Sequence, residues 1–375
     1  MKFSISREKL SRMLYLASSI VERRNTMPII ANVKLKAESG SLSISATDLE
    51  LGLLVTEEAV VDEPGSITVG AKVIYEIVKE LSDGEVSIRS SEGQRLEIKA
   101  GHSRFKINGT SADEFPSVPG VDLVTGVTSV EALKIIEMID KTGYAISSDE
   151  TKFNLGGIYV ETIDGLFPGG AKSLRFVSTD GHRIAIIDRP ADGLDLDRGV
   201  IVPRKGINEI KKMLEGNDGS IAVSISEGYF ALRSSTVSLG VRLVDGRFPD
   251  YSKVIPSEKT TSIKVNRSDF YSAVKRVSLL TTDKSKTLKF VVSDSSLTVS
   301  SSSPEYGEAT ETIDIQKTGK DLAIGFSAKY LIDFMQSVSE SEAIDISLSG
   351  EVGPALFSTV DDDFYRCVIM PMRFE

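Results

Sequence analysis

"VIVPRKGINEIKKML", residues 200–214, reads as a short apolar strand, a proline with a basic pair, then a helix with apolar residues three and four apart. "ITVGAKVIYEIVKEL" (67–81) and "LAIGFSAKYLIDFMQ" (322–336) repeat the pattern. A second family precedes them: "FSISREKLSRMLYLA" (3–17), "VTSVEALKIIEMID" (127–140) and "SIKVNRSDFYSAVKRV" (262–277). Each is again strand then helix, with Ser6, Ser129 and Asn266 as expected N-caps. Alternating β-formers follow the helices, as in "SLSIS", "EVSIRS", "SIAVSIS" and "LTVSSSS".

The chain is therefore a threefold repeat of an α+β unit, each copy holding two strand-helix-strands modules. Lys72, Lys205 and Lys329 stand 133 and 124 residues apart, close to a third of the 375-residue chain. Copy one ends "SRFKINGTSADEFPSVPG" and copy two "LGVRLVDGRFPDYSKVIP", both passing through Phe-Pro into a Pro-containing linker, whereas copy three ends "DFYRCVIMPMRFE". Domains are expected at 1–122, 123–258 and 259–375.

Composition agrees with several soluble cores: 41% of residues are hydrophobic and 26% charged. The one cysteine, Cys367, allows no intramolecular disulfide, and "MKFSISREKL" has no apolar signal region, so a cytoplasmic location is expected. Net charge is −10, from 54 acidic and 44 basic residues, which taken alone argues against nucleic acid. The distribution changes that reading. Lys72, Lys205 (beside Arg204) and Lys329 fall in the first turn of the second helix of each copy, where a cation opposes the helix dipole at about 0.3–1 kcal/mol. Arg7, Lys9, Arg12, Arg23, Arg24, Lys134, Lys141, Arg267, Lys275 and Arg276 lie on or just after the first helices. Acid gathers elsewhere, in "TEEAVVDE", "DGLDLD", "SESEAID" and "VDDDF". The helix cations either face a polyanion or are simply solvated.

Catalytic patterns are weak. "GLFPGGAKS" (165–173) places Lys172 one residue late for a phosphate loop and precedes a strand instead of a helix. Two histidines and one cysteine make no recognisable metal or redox set, so no cofactor is expected. Ser178, Asp180 and His182 alternate in "LRFVSTDGHRIAIID" (174–188), but Asp-Gly between two apolar runs is first a hairpin turn. Thr47 and Asp48 repeat its Thr-Asp pair in copy one. A hydrolase using Asp180 and His182, and a scaffold or ligand-binding repeat protein, remain as alternatives.

"EPGSITV", "STDGHRIAI", "VIVPRKGI", "LVDGRFPDY" and "VIMPMRF", in that order along the chain, resemble the bacterial DNA polymerase III beta subunits, the sliding clamps. The resemblance implies a non-catalytic processivity factor. Two chains would close head to tail into a six-domain ring, helices lining the hole and sheets forming the wall. The ring would encircle duplex DNA without reading sequence. Short linear peptides of the replicative polymerase, the clamp loader and other proteins would bind it, and no membrane is involved. It further implies DNA contacts at Arg24, Lys72 (where arginine is usual) and Lys205. Asp149, Phe153 and Asn154 fall where the family has a glutamine and two tyrosines, with Lys152 able to supply charge. A peptide groove is implied at Leu155, Thr179, Gly181, His182, Arg183, Ile184, Pro249, Lys253, Val254, Val368, Met370, Pro371, Met372 and Arg373. Lys253 replaces an arginine, Pro354 a common serine and Phe374 a leucine, with Glu375 added beyond it. Phe105, Ile107, Leu279 and Leu280 fall at positions resembling the dimer interface.

Overall fold

The computed structural model describes all residues except 22–26, 92, 124–127, 168–169, 171, 192–195, 197, 227, 282–286 and 375. The first third runs β1 (Lys2–Ser6), α1 (Arg7–Ile20), β2 (Asn32–Glu38), β3 (Ser41–Thr47), β4 (Leu51–Glu58), β5 (Val60–Glu63), β6 (Gly65–Gly70), α2 (Ala71–Lys79), β7 (Glu85–Ser91), β8 (Arg95–Ala100) and β9 (Ser103–Thr110). The middle third holds β10 (Thr128–Glu131), α3 (Ala132–Thr142), β11 (Gly157–Ile163), β12 (Ser173–Thr179), β13 (Arg183–Pro190), β14 (Val200–Pro203), α4 (Arg204–Leu214), β15 (Ser220–Ser226), β16 (Tyr229–Arg233) and β17 (Val237–Arg242). The last third holds β18 (Thr261–Asn266), α5 (Arg267–Val277), β19 (Thr287–Ser293), β20 (Ser296–Ser303), β21 (Gly307–Gly319), β22 (Leu322–Ser327), α6 (Ala328–Ser337), β23 (Ala343–Leu348), β24 (Ala355–Thr359) and β25 (Tyr365–Ile369).

Both helix families emerge as the periodicity predicts. In α2, α4 and α6 the matched residues Ile74, Ile207 and Leu331 are buried, and so are Val78, Ile210 and Met335 about one turn on. Two turns of one apolar face thus anchor each helix, and each such side chain contributes about 1.5–3 kcal/mol. Ser6 caps α1 by accepting the Lys9 N–H, and Asn266 caps α5 through the Ser268 and Asp269 N–H groups. Ser129 does not cap α3. It lies inside β10, whose ladder with β15 carries the strand on to Glu131, directly before the helix. Among the described residues no helix is long and apolar enough to cross a membrane.

The chain packs as two compact units, one of residues 1–135, 191–196 and 205–243, the other of 136–190, 197–204 and 244–375. In the first, the strands form one sheet in the order β10-β15-β16-β17-β4-β3-β2-β6-β9-β8-β7-β1-β5. β17 of the middle third pairs antiparallel with β4 of the first, Val237 opposite Val55 through Val241 opposite Leu51. Gly52 and Gly240 face each other in that ladder. A Cβ on either would lie 2.1 or 2.3 Å from the Pro119 carbonyl oxygen, so the linker after copy one crosses the seam where only glycine admits it.

The second unit has its own sheet, β14-β11-β12-β13-β25-β24-β23-β18-β21-β20-β19-β22. Here β13 of the middle third pairs with β25 of the last, Arg183 opposite Ile369 through Ile187 opposite Tyr365. A four-charge cluster lies on the same seam. Arg189 donates to Glu137 (Nε to Oε2, 2.9 Å) and to Asp362 (Nη2 to Oδ2, 2.6 Å), and Lys141 reaches the same two carboxylates at 2.9 and 2.8 Å. Burial works to raise both acids, yet the hydrogen bonds from Arg189 and Lys141 prevail and hold both carboxyls below their ordinary range.

Candidate functional site

The turn between β12 and β13 is built by side chains that bond their own backbone. The Thr179 hydroxyl accepts the Gly181 N–H (3.0 Å) and donates to the Arg183 carbonyl (2.6 Å). Asp180 Oδ1 accepts the N–H groups of His182 and Arg183 at 2.9 and 3.1 Å, and its Oδ2 accepts Arg183 Nε at 3.1 Å. Gly181 takes φ +93°, a conformation that suits glycine. Ser178 is fully buried and donates to the Thr142 carbonyl. Serine, aspartate and histidine are therefore each engaged in turn or core, and no hydroxyl–imidazole pair forms among them. A hairpin explains the stretch.

Copy one repeats the device. The Thr47 hydroxyl bonds the Leu49 N–H and the Leu51 carbonyl, and Asp48 Oδ1 accepts the N–H groups of Glu50 and Leu51. Leu49 occupies the positive-φ position, at +79°. The free oxygen of Asp48 takes the ammonium of Lys205.

Behind the second hairpin lies an apolar cluster of Leu155, Val177, Ile184, Ile186, Ile201, Phe248 and Val368. Tyr159, Tyr251, Val254, Ile255 and Leu356 pack against it half-buried. Four residues named from the resemblance (Leu155, Ile184, Val254, Val368) thus meet in one place. The rings of Tyr159 and Phe248 stack at 4.8 Å. Tyr251 bonds Glu161 and, at 3.1 Å, Arg175, whose guanidinium also holds the buried Asp188. Burial, followed by the bond to Glu161, pushes the Tyr251 phenol up. These aromatic supports were absent from the sequence expectation, although "GRFPDY" carried two of them.

The remaining groove residues divide by exposure. Pro249 is exposed beside the buried Phe248, and Lys253, 79% exposed, pairs with Asp250 at 2.8 Å. Met370 and Met372 are exposed at 37% and 40%, Arg373 is exposed, and Pro371 is half-buried. Arg183 is placed otherwise than a groove wall requires: its side chain is 3% exposed. Its guanidinium lies 5.1 Å from the ring of Tyr144 and 4.4 Å from that of Tyr330, and bonds Asp333 (2.8 Å) and the Tyr144 carbonyl (2.6 Å). The His182 ring stacks with that of Tyr330 at 6.5 Å. Tyr330 was missed because no local pattern marks it. It comes from the first turn of α6, about 150 residues away.

Of the cations expected to face a polyanion, Lys72 and Lys329 are exposed and Lys205 is held by Asp48. All three are the second residue of their helices. Arg24 lies outside the described residues. Lys152 is exposed, and its ammonium stands 3.7 Å from where a Cβ on Gly181 would be. Phe153 is 62% exposed, Asn154 donates to the Arg247 carbonyl (3.2 Å), and the Thr151 hydroxyl and N–H hold the exposed Asp149 carboxyl below its ordinary range.

Phe105 on β9 is 38% exposed and Leu279 75%, while Ile107 and Leu280 are half-buried. β9 pairs with β8 over 103–108 but with β6 only at Gly109 and Thr110. β21 pairs with β20 over 307–314 and with β18 only from Ile315 onward. Among the described residues, each strand therefore leaves most of one edge without a ladder partner. Their charges are opposite: Arg104 and Lys106 on the first, Glu308, Glu311 and Asp314 on the second.

Residues 1–119, 129–250 and 252–373 match the models of the DNA polymerase III beta subunit N-terminal, central and C-terminal domains. A beta sliding clamp of Caulobacter vibrioides is 36% identical over 376 residues, and that of Escherichia coli K12 is 30% identical over 375, with 100% of both chains covered in each case. The crystal structure of a DNA polymerase sliding clamp from Caulobacter crescentus superposes with a TM-score of 0.92 at 35% identity, covering 100% of each chain. A sliding clamp from Bartonella birtlesii bound to griselimycin does so at 0.93 and 35%, again over 100% of both.

Proposed function

The chain belongs to the DNA polymerase III beta subunit family of sliding clamps, and on that premise we propose that two copies close head to tail around duplex DNA and tether the replicative polymerase to it. The observation that carries this reading is the pair of half-open strand edges. A β9 edge bearing Arg104 and Lys106 suits a β21 edge bearing Glu308, Glu311 and Asp314 in a second copy. Antiparallel pairing there would satisfy backbone groups that a lone chain leaves to water, with charge fixing the partner. Because each chain carries one edge of each kind, the contact is heterologous, and it closes into a ring when the rotation per repeat permits.

The chain divides functionally at about residues 122 and 258, the first of which falls between the N-terminal and central family models. The protein works in the cytoplasm and has no catalytic site of its own. Cations at Arg24, Lys72, Lys152, Lys205 and Lys329 meet phosphate without reading bases, which keeps binding weak enough to slide. Lys205 contributes after sharing its charge with Asp48. The apolar cluster under Thr179–Ile184, edged by Met370 and Met372, receives apolar side chains of short peptides from the polymerase and the clamp loader. Methionine adapts to varied anchors there.

Loading on nicked circular DNA tests the central claim. The protein is expected to remain bound through a moderate-salt wash and to leave once the circle is linearised. Equal retention on both forms would overturn encirclement.

A further inference from the structure

The last described residues form a short rail along the outer side of β22. Met370 donates its N–H to the His182 carbonyl (2.9 Å) and Met372 to that of Gly325 (2.8 Å), while Pro371 between them has no N–H to place. β22 is the terminal strand of its sheet, so the bond from Met372 to Gly325 falls on its outer edge, while that from Met370 ties the segment to the β12–β13 turn. The Thr287 hydroxyl points to the Met372 sulfur at 3.7 Å.

Beyond Met372, the Phe374 ring lies against Gly325. A Cβ there would stand 2.8 Å from Phe374 Cδ1 and 2.4 Å from the Met372 carbonyl oxygen. Lys289, directly across the ladder from Gly325, holds its ammonium 5.2 Å from the centre of that ring.

We propose that Phe374 is a positioning residue for the groove: seated on Gly325 beneath Lys289, it fixes the rail in register and so presents Met370 and Met372 already ordered. The inference rests on the reading of that groove as a peptide site. A peripheral segment tied to the fold by two backbone bonds opens readily unless something beyond them holds it, and methionine side chains on such a segment would have to be ordered by the incoming peptide. An anchored rail removes that cost before the peptide arrives, which lowers the dissociation rate.

The full-length chain carries the test, as Phe374→Ala, Phe374→Tyr and Gly325→Ala, each checked for an unchanged oligomeric state by sedimentation. A labelled polymerase-type peptide carrying a glutamine and a hydrophobic pair is titrated by fluorescence anisotropy, and hydrogen exchange is followed at the Met372 amide. Phe374→Ala and Gly325→Ala should bind about 3- to 10-fold more weakly and lose protection at Met372, whereas Phe374→Tyr should keep both. Wild-type affinity in Phe374→Ala overturns the anchor. So does weakened binding with the amide still protected, since the ring would then be touching the peptide itself. His182→Ala combined with Met372→Ala is the separate control. Undiminished affinity in that variant removes the groove reading, whereas an effect there beside an inert Phe374→Ala removes the anchor alone.

Discussion

Leu49 and Gly181 occupy the same place in two copies of one turn, and both have positive φ, +79° and +93°. The surrounding bonds are the same: a threonine hydroxyl clamps the turn's ends, and an aspartate oxygen gathers two N–H groups. The clamp in copy one holds a leucine in a backbone conformation that costs L-residues about 1–2 kcal/mol. Gly181→Ala should therefore destabilise the protein by about 1 kcal/mol and leave it folded, read as a lower urea midpoint at unchanged slope. This turn was legible in the sequence because its chemistry is local, Thr-Asp-Gly bonding its own neighbours. The enclosure of Arg183, two residues on, was not. Its partners Tyr144 and Asp333 lie 39 and 150 residues away, and spacing along a strand gives no sign of which side chain will be enclosed by distant ones.

At the level of elements, the six strand–helix joins read from periodicity all appear, because an apolar face at helical spacing has one way to be buried. Cap positions were less secure. Ser6 and Asn266 sit where their strands stop, whereas Ser129 was overtaken by a strand that ladder bonds extended two residues further. The acidic and basic residues gave no hint that Glu137 and Lys141 of α3 would meet Arg189 of β13 and Asp362 in the turn before β25. That meeting has a pH signature. Asp362 and Glu137 ionise at lower pH in the folded protein than in the unfolded chain. Their contribution is thus complete above the unfolded values of about 4 and is lost as pH falls through the depressed folded ones. Denaturant midpoints measured from pH 7 down into that acid range should fall, and Asp362→Asn should give a lower midpoint at pH 7 with a flatter acid slope. An unchanged slope would mean that the cluster does not govern acid stability.

For the molecule as a whole, threefold repetition and family membership were legible because they are written at every third of the chain. What the repeats do to one another was not. Each sheet is assembled from strands of two successive repeats, and the two compact units divide the middle repeat between them. No linear reading of copies one, two and three contains that partition, since it depends on which free edge finds which. The edges left over make the assembly prediction. Leu279, 75% exposed, and Leu280 changed together to aspartate should yield a folded monomer at low micromolar concentration in sedimentation, because covering each leucine contributes about 1.5–3 kcal/mol. A persisting dimer would show that the contact lies elsewhere.

The seams also set a timetable on the ribosome. β4 is translated early, but its partner β17 ends at Arg242. Nearly two thirds of the chain must be synthesised while the backbone of Leu51–Val55 waits with apolar side chains beside it. β25 is later still: it is interior to the second sheet, between β13 and β24, yet it follows both in the chain. The second sheet is therefore closed by a segment inserted between two strands made before it. A nascent chain stalled before β25 emerges would carry an open slot at the place where the finished protein has its candidate groove.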